Sequence, residues 1–412
     1  MSDIDADEEL DELPLSGVRV LDITANMSGP FATMILGDQG ADVIKLEPLD
    51  GDPMRNVGSG SPGMSTFFAN LNRSKRFIAM DLSRPESRPV FDSLLDWADV
   101  VVHNYRPAAA ESLGIDAVSV RAGRERLVHV TVIGYGVSGP YAGRPAYDQV
   151  IQALSGFAAR QAEHDGEPHM VRQGIVDKLA AMTVAQAVSS ALVRQTRSGR
   201  GCAISISMLD VAVTVLWPDG MMNHTALAAE RTLPDISNGF RLTPTRDGHL
   251  AFSLATAKQL GNLRRAVGLE DDPRFDSPGS PMRRAGALIR EASGWLEEMT
   301  TDDAVALLSA NDVPVAPVVD LDELHLHPQI VANGTIRSFE HPILGSIRQA
   351  NPLVRFTGAT AADLPPAGGL GEHGREILAE RGFAAEAIDA LCGAGVVADP
   401  ANGVVPSNES GA

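Results

Sequence analysis

Residues 17–47 read GVRVLDITANMSGPFATMILGDQGADVIKLE. Gly17–Thr24 has the apolar run of a buried strand, and Ala25–Pro30 is a turn. Pro30 suits the first turn of a helix that runs through Phe31–Asp38. Gly40 ends that helix, and Ala41–Glu47 forms the next strand. The stretch is therefore a βαβ unit. Its first loop lies where α/β sheets receive ligands, beside the plainer reading of a strand–helix turn. The loop lacks G-x-G-x-x-G, which weighs against a dinucleotide-dependent oxidoreductase.

The same alternation continues along the chain. Phe77–Leu82 reads as a strand, 85–97 as a helix, Asp99–Asn104 as a strand, Pro107 as a helix start and Arg126–Ile133 as another strand. Residues 171–210 then read helix, glycine turn, strand. Ala180, Val184, Ala187, Val188 and Ala191 make one apolar stripe, Arg194, Arg197 and Arg200 sit near the helix end, and Ala203–Met208 alternates at period two. Strands alternating with helices predict an α/β fold with an open, mostly parallel sheet. Residues 157–173 are polar and read as a hairpin. Past Pro218 the pattern changes: a hairpin over 240–255, helices near 257–267 and 284–310 and an extended Val313–Val319 predict a smaller α+β domain. At 412 residues the chain exceeds one ordinary core. The expected division is an acidic, disordered tail over 1–13, a large domain over 14–217, a small domain with linkers over 218–335, a return to the large domain over 336–395 and a disordered tail over 396–412.

Composition narrows the function. With 34 basic and 53 acidic residues the formal charge is −19, which argues against nucleic acid or an anionic membrane as partner. Cys202 and Cys392 offer neither a disulfide framework nor metal-ligand spacing, so no metal is expected and a reducing cytoplasm is the natural compartment. No membrane-spanning run and no signal peptide is read.

Asp177 stands at the start of the long helix and has two readings. As an N-cap it satisfies orphan N–H groups, worth about 1 kcal/mol. As a nucleophile it gains from a helix N-terminus that keeps a carboxylate ionised and stabilises an oxyanion beside it. Sequence physics leaves both open. Likewise Arg73, Lys75 and Arg76 before the third strand suit phosphates or a solvated basic loop. The glycines of Gly134-Tyr135-Gly136 let a loop come close to a ligand.

Val176-Asp177-Lys178 and Arg197-Ser198-Gly199-Arg200-Gly201 resemble the catalytic segment of the family III CoA-transferases, which include formyl-CoA and carnitine CoA-transferases and α-methylacyl-CoA racemase. The resemblance runs over roughly residues 14–392. It implies a Rossmann-like large domain that binds coenzyme A as (co)substrate with no permanently bound cofactor, and a homodimer interlocked like chain links. Asp177 is then the active carboxylate. Asn26, Met27, Ser28, Lys75, Arg76, Met80, Asp81, Leu82, Asn104, Tyr105 and Arg106 are implied CoA contacts, with Ile133, Gly134, Tyr135 and Gly136 at the thioester end. The implied reaction moves CoA between an acyl-CoA and a small carboxylic acid through an Asp177 anhydride and an aspartyl-CoA thioester. A racemase and a non-catalytic CoA binder are the alternatives. The racemase branch carries a His immediately before the Asp of the motif at 144–156. Here Tyr147 precedes Asp148, and a phenol is a poor base at neutral pH. Asp148 is read as structural, as are His103 and the His373 of Leu370-Gly-Glu-His373. The glycine-rich loop of formyl-CoA transferases has no equivalent run here.

Overall fold

The computed structural model describes residues 12–162, 166–228, 239–275, 281–356 and 364–400. By internal packing the chain divides into two units, Met1–Leu216 with Thr335–Ala412, and Trp217–Gly334. Residues 1–11 and 401–412, where most of the two terminal tails is expected, lie outside the described residues.

The first unit is built on a six-stranded sheet. Its strands are β1 (Arg19–Ile23), β2 (Asp42–Glu47), β3 (Arg76–Ala79), β4 (Val100–His103), β5 (Val128–Ile133) and β6 (Ala203–Ser207). They lie in the order β3-β2-β1-β4-β5-β6, and every pairing is parallel. Both faces are covered, as a parallel sheet requires. On one face Val20, Val43, Val100 and Val130 pack with Ala32 and Leu36 of helix α1 (Ser28–Asp38) and with Val176, Ala180, Val184 and Val188 further on. On the other, Leu21, Ile44, Ile78 and Val101 pack against Phe91 and Leu94 of Arg88–Trp97 and against Ile377 and Leu378. Alternate residues of one strand thus serve opposite layers.

Strand order reverses direction between β1 and β4. Helix α1 leaves β1 on one side and the chain re-enters at β4 on the other, so the two loops part and leave a crevice at the carboxyl ends of the strands. Three more helices border it: α2 (Pro107–Leu113), α3 (Asp148–Ser155) and the long α4 (Ile175–Ser198). By length and composition α4 passes as a membrane span, contrary to the reading that no run does. Its apolar stripe is instead spent on the sheet and on α1.

Gly199 ends α4 in the left-handed region, φ 70°. Gly201 then passes so close to the start of β5 that a Cβ on it would stand 2.2 Å from the Leu127 carbonyl oxygen. Gly201→Ala must displace backbone, and we expect a loss of about 2–3 kcal/mol or more in urea unfolding.

Several expectations are corrected. Residues 157–173 hold a helical turn at Phe157–Arg160 and loop, with no strand among those described, because Gln152 rather than a facing strand satisfies the backbone of 171–173. The helix expected over 284–310 breaks into Pro281–Glu297 and Thr301–Ala310, Thr300 capping the second through its hydroxyl. Val396–Asp399 is not a tail: Val397 bridges to Met80, Ala398 N–H donates to the Ala79 carbonyl, and the segment is buried along the edge of β3. An edge strand left bare would expose its ladder, and this segment covers it.

The second unit has its own core, in which Leu250, Leu263, Leu288, Leu296 and Leu308 bury three helices against a three-stranded antiparallel sheet.

Candidate active site

The crevice holds a cavity of about 650 Å³, within the range of small-molecule sites. Its wall comes from the loops that follow β1 (Ala25, Asn26, Ser28), β2 (Pro48–Pro53), β4 (Asn104–Ala109), β5 (Ile133–Gly136) and β6 (Met208), together with 143–147 and Asp177. The structure thus brings Asn26, Ser28, Asn104, Tyr105, Arg106, Ile133, Gly134, Tyr135, Gly136 and Asp177 together.

The loops are locked to one another. The Asn104 amide spans the switch point, accepting from Ala25 N–H at 2.9 Å and donating to the Ala25 carbonyl at 2.6 Å. Asn26 adopts φ 68°, a conformation Asn tolerates better than most residues. Its N–H donates to Asp52 Oδ1 at 3.2 Å. Asn104 and Asn26 therefore hold the crevice open in a fixed shape.

Asp177 is not the N-cap. Helix α4 starts at Ile175, Gly174 is the cap residue, and no side chain caps from that position. The capping is done from another helix: Asp148 Oδ2 accepts the Asp177 N–H at 2.9 Å. Asp148 is buried and held by Gln152, whose amide also binds the carbonyls of Val171 and Gln173. With its backbone satisfied elsewhere, the Asp177 side chain is released to the cavity. Burial, then the neighbouring Asp148 charge, push the Asp177 carboxyl up to about 6, against a hydrogen bond from Ser28 and the Lys178 charge. From sequence, a helix pole should keep this group strongly ionised. Desolvation and a second carboxylate outweigh that pole. The group is still mostly ionised at neutral pH, and more basic than an ordinary aspartate.

This gives Asp148 a measurable part. Asp148→Asn keeps an acceptor for the Asp177 N–H and removes the like charge. We expect the acid limb of the pH–rate profile to move to lower pH, by about half a unit to one unit. An unmoved limb would show that burial alone sets the Asp177 acidity.

Other implied contacts lie away from this cavity. Met27 packs its sulfur against Gly174, 2.7 Å from where a Cβ would be. Lys75 is buried, and its ammonium donates to Asp22 Oδ2, the Pro30 carbonyl and Asn72 Oδ1 at 2.8–2.9 Å. Arg76 pairs with Asp42 and Glu380 and lines a second cavity, of about 520 Å³, at the amino ends of β2 and β3. Neither residue lines the first cavity: the Lys75 ammonium is held beneath the β1 loop, and Lys75 and Arg76 both border the second cavity. Met80, Asp81 and Leu82 do follow β3, but β3 is the far edge strand. Met80 is core, Asp81 N–H donates to the Val396 carbonyl, and the Asp81 carboxylate accepts from Ser83. Sequence reasoning gives no ligand role to Pro48–Pro53 or to 143–147. The signal is available for the first: it follows β2, which neighbours β1 on the same side of the turn sequence.

His103 and His129 are both buried, their rings 5.0 Å apart, and burial holds the His103 imidazole down to about 3. His373 Nδ1 accepts the Phe77 N–H at 3.2 Å, a structural contact. Among the described residues no cluster of His, Cys, Asp and Glu is arranged to hold a metal.

The comparisons agree with this geometry. Residues 15–374 match CoA-transferase family III. The succinyl-CoA:glutarate CoA-transferase of Homo sapiens is 29% identical over 93% of this chain and 90% of its own length. The probable fatty acyl-CoA transferase Rv3272 of Mycobacterium tuberculosis is 32% identical over 72% of this chain and 80% of its own. A crystal structure of Rv3272 superposes with a TM-score of 0.77 at 29% identity, covering 88% of this chain and 99% of that one. A six-stranded parallel sheet with a cavity at its switch point, matched across nearly the whole chain, identifies an enzyme that belongs to CoA-transferase family III.

Proposed function

We propose that this chain is an acyl-CoA:carboxylate CoA-transferase that works through covalent intermediates on Asp177. The observation that carries this reading is Asp177 itself, a carboxylate made more basic by burial and Asp148 and opening on the cavity at the carboxyl ends of the strands. The Asp177 carboxylate attacks the thioester carbonyl of the donor. The C–S bond breaks, leaving an acyl–aspartyl anhydride and CoA thiolate. The thiolate adds to the aspartyl carbonyl and expels the donor acid, giving an aspartyl-CoA thioester. The acceptor carboxylate attacks that carbonyl and frees the thiolate again. The thiolate then takes the acceptor acyl group and restores Asp177. No electrons change hands, so the cycle needs no permanently bound cofactor, and each step is easier than direct exchange. The Asp177 N–H is spent on Asp148, so we assign oxyanion stabilisation to backbone N–H groups of Gly134–Gly136. Asn104, Tyr105 and Arg106 would face the CoA moiety.

We also infer an interlocked homodimer in the cytoplasm. A chain that leaves one unit at Leu216 and returns to it at Thr335 is compatible with that linkage. A stable monomer in light scattering would overturn it. The relatives' names include both a dicarboxylic and a fatty acyl substrate, so membership alone does not choose the acids.

The test of the mechanism is intact-mass spectrometry after incubation with a panel of acyl-CoAs. A CoA-sized adduct on the wild type, absent from Asp177→Ala, is the expected result. No adduct, with α-proton exchange that depends on Asp177, would replace the transferase by the racemase-type reaction.

A further inference from the structure

The first turn of helix α1, Ser28-Gly29-Pro30, is held from three sides. Met27, just before it, packs its sulfur on Gly174 at the start of α4. Gly29 lies so close to Thr24, at the end of β1, that any side chain on it would run into that threonine. The Pro30 carbonyl accepts from the Lys75 ammonium at 2.8 Å. Gly174 precedes Asp177 by about one helical turn, so the turn of α1 that rests on Gly174 stands over Asp177. Between these anchors Ser28 is buried, 4% exposed, and lines the cavity together with Asp177. Its hydroxyl bonds the Asp177 carboxylate and, among the described residues, no other group. The charged groups that bear on Asp177 are Asp148 of α3 and Lys178 of α4, and the first turn of α1 brings none. Asp148 holds the Asp177 N–H, and Lys178 donates to Gln173 Oε1 at 2.6 Å. Orientation of the carboxylate is thus left to Ser28.

A carboxylate with one oxygen held by an O–H presents the other to the thioester. In the proposed cycle two different carbons become tetrahedral, the acyl carbon of the substrate and the aspartyl carbon itself. The aspartyl carbon is attacked by the thiolate as the donor acid leaves, and again by the acceptor carboxylate. Each time negative charge gathers on the oxygen that stays on Asp177. A Ser28 O–H already fixed on that oxygen meets the charge as it forms and keeps its own proton throughout. The N–H groups of Gly134–Gly136 then serve the acyl carbon.

We infer that Ser28 is a positioning residue for Asp177: its hydroxyl, fixed by the first turn of α1, orients the carboxylate for attack and stays on the same oxygen through the aspartyl intermediates. The inference rests on the covalent reading of Asp177, and the test separates the two. Rates and thermal melts of Ser28→Ala are measured against pH, and CoA binding by calorimetry. The expected kcat is about tenfold to a hundredfold lower, with the KM for acyl-CoA within about twofold of the wild type. The acid limb of the pH–rate profile moves to higher pH by about half a unit to one unit, because the lost bond favoured the ionised form. Asp148→Asn moves it the other way. The melts report the same shift without turnover, as the window in which stability falls moves up with it. In an Asp177→Ala background, Ser28→Ala leaves CoA affinity within about twofold, because the partner of the hydroxyl is already gone. A clear fall of CoA affinity there would make Ser28 a ligand contact and overturn the inference. An unchanged rate would do the same, as would a rate loss with limb and melts unmoved, the mark of a structural role. If the melts shift and no adduct ever forms on Asp177 in the wild type, the covalent mechanism fails while the contact between Ser28 and Asp177 stands.

Discussion

Asp177→Asn lowers CoA transfer by at least about a thousandfold and leaves the protein more stable than the wild type at pH 8. The first half follows from removing the nucleophile on which every step of the proposed cycle forms or breaks a bond. The second half follows from the acidity of the same group. Its folded pKa, about 6, lies above the ordinary value of 3.8. The folded state therefore binds the proton more tightly than the unfolded chain. Stability falls as pH rises through this window, and the penalty is constant above about pH 6. The shift corresponds to an order of 1–3 kcal/mol, taken toward the lower end because Asp177 keeps some contact with solvent. An uncharged Asn relieves it at pH 8 and has nothing to relieve at pH 4. Thermal melts of both proteins at the two pH values check the crossover. Wild-type activity runs in the opposite sense, since the carboxylate is the reactive form: the rate rises with pH through about 6 and then levels. An inactive Asp177→Asn protein with unchanged stability at pH 8 would place Asp177 in a solvated, unstrained setting, and the account of its basicity would fail.

How far the residues foretell this site depends on what kind of information each one needs. The parallel sheet is legible because strand patterns and glycine-ended helices alternate locally, and the crevice follows from the βαβ unit at 17–47. The role of Asp148 is legible only as structural. That its carboxylate caps a helix 29 residues away, and so releases Asp177, is a tertiary fact with no local signature. Helix α1 begins at Ser28 rather than Phe31, which places the Ser28 hydroxyl within reach of Asp177. Terminal turns are where sequence patterns are least informative. The basic run at 73–76 misleads for a different reason. Charge in a sequence reads as solvated or ligand-bound, and nothing nearby announces that the buried partner of Lys75 is Asp22, 53 residues away on another strand.

That partnership leads to the second large expected effect, which concerns stability alone. Lys75→Met is expected to destabilise the protein by about 3–5 kcal/mol. Lys75 and Asp22 have side chains fully withdrawn from solvent, with their charges 2.9 Å apart. Around them lies a continuous buried polar layer beneath the β1 loop. Thr24 and Thr33 donate to Asp22, Lys45 donates to the Thr24 carbonyl and pairs with Asp52, and Arg55 clamps Glu47 with two bonds of 2.6–2.8 Å. Burial alone would raise the Asp22 carboxyl, but Lys75, Lys45 and Thr24 hold it well below the usual range. Methionine fills much of the lysine's volume, so the loss is electrostatic rather than a cavity. It strands Asp22 with a charge it must keep at a higher cost or neutralise. The double variant Lys75→Met with Asp22→Asn separates these causes: removing the stranded charge is expected to recover half or more of the loss in urea unfolding. Recovery would show that the pair serves to keep the floor of the switch-point loop neutral and fixed. If the double variant is no better than the single one, Lys75 acts through its bonds to Pro30 and Asn72, anchoring α1 rather than balancing Asp22. In either case variants at Lys75 are expected to alter affinity for CoA only in step with folding. A Lys75→Met protein that stays folded and loses CoA affinity selectively would return Lys75 to the ligand, which this geometry does not.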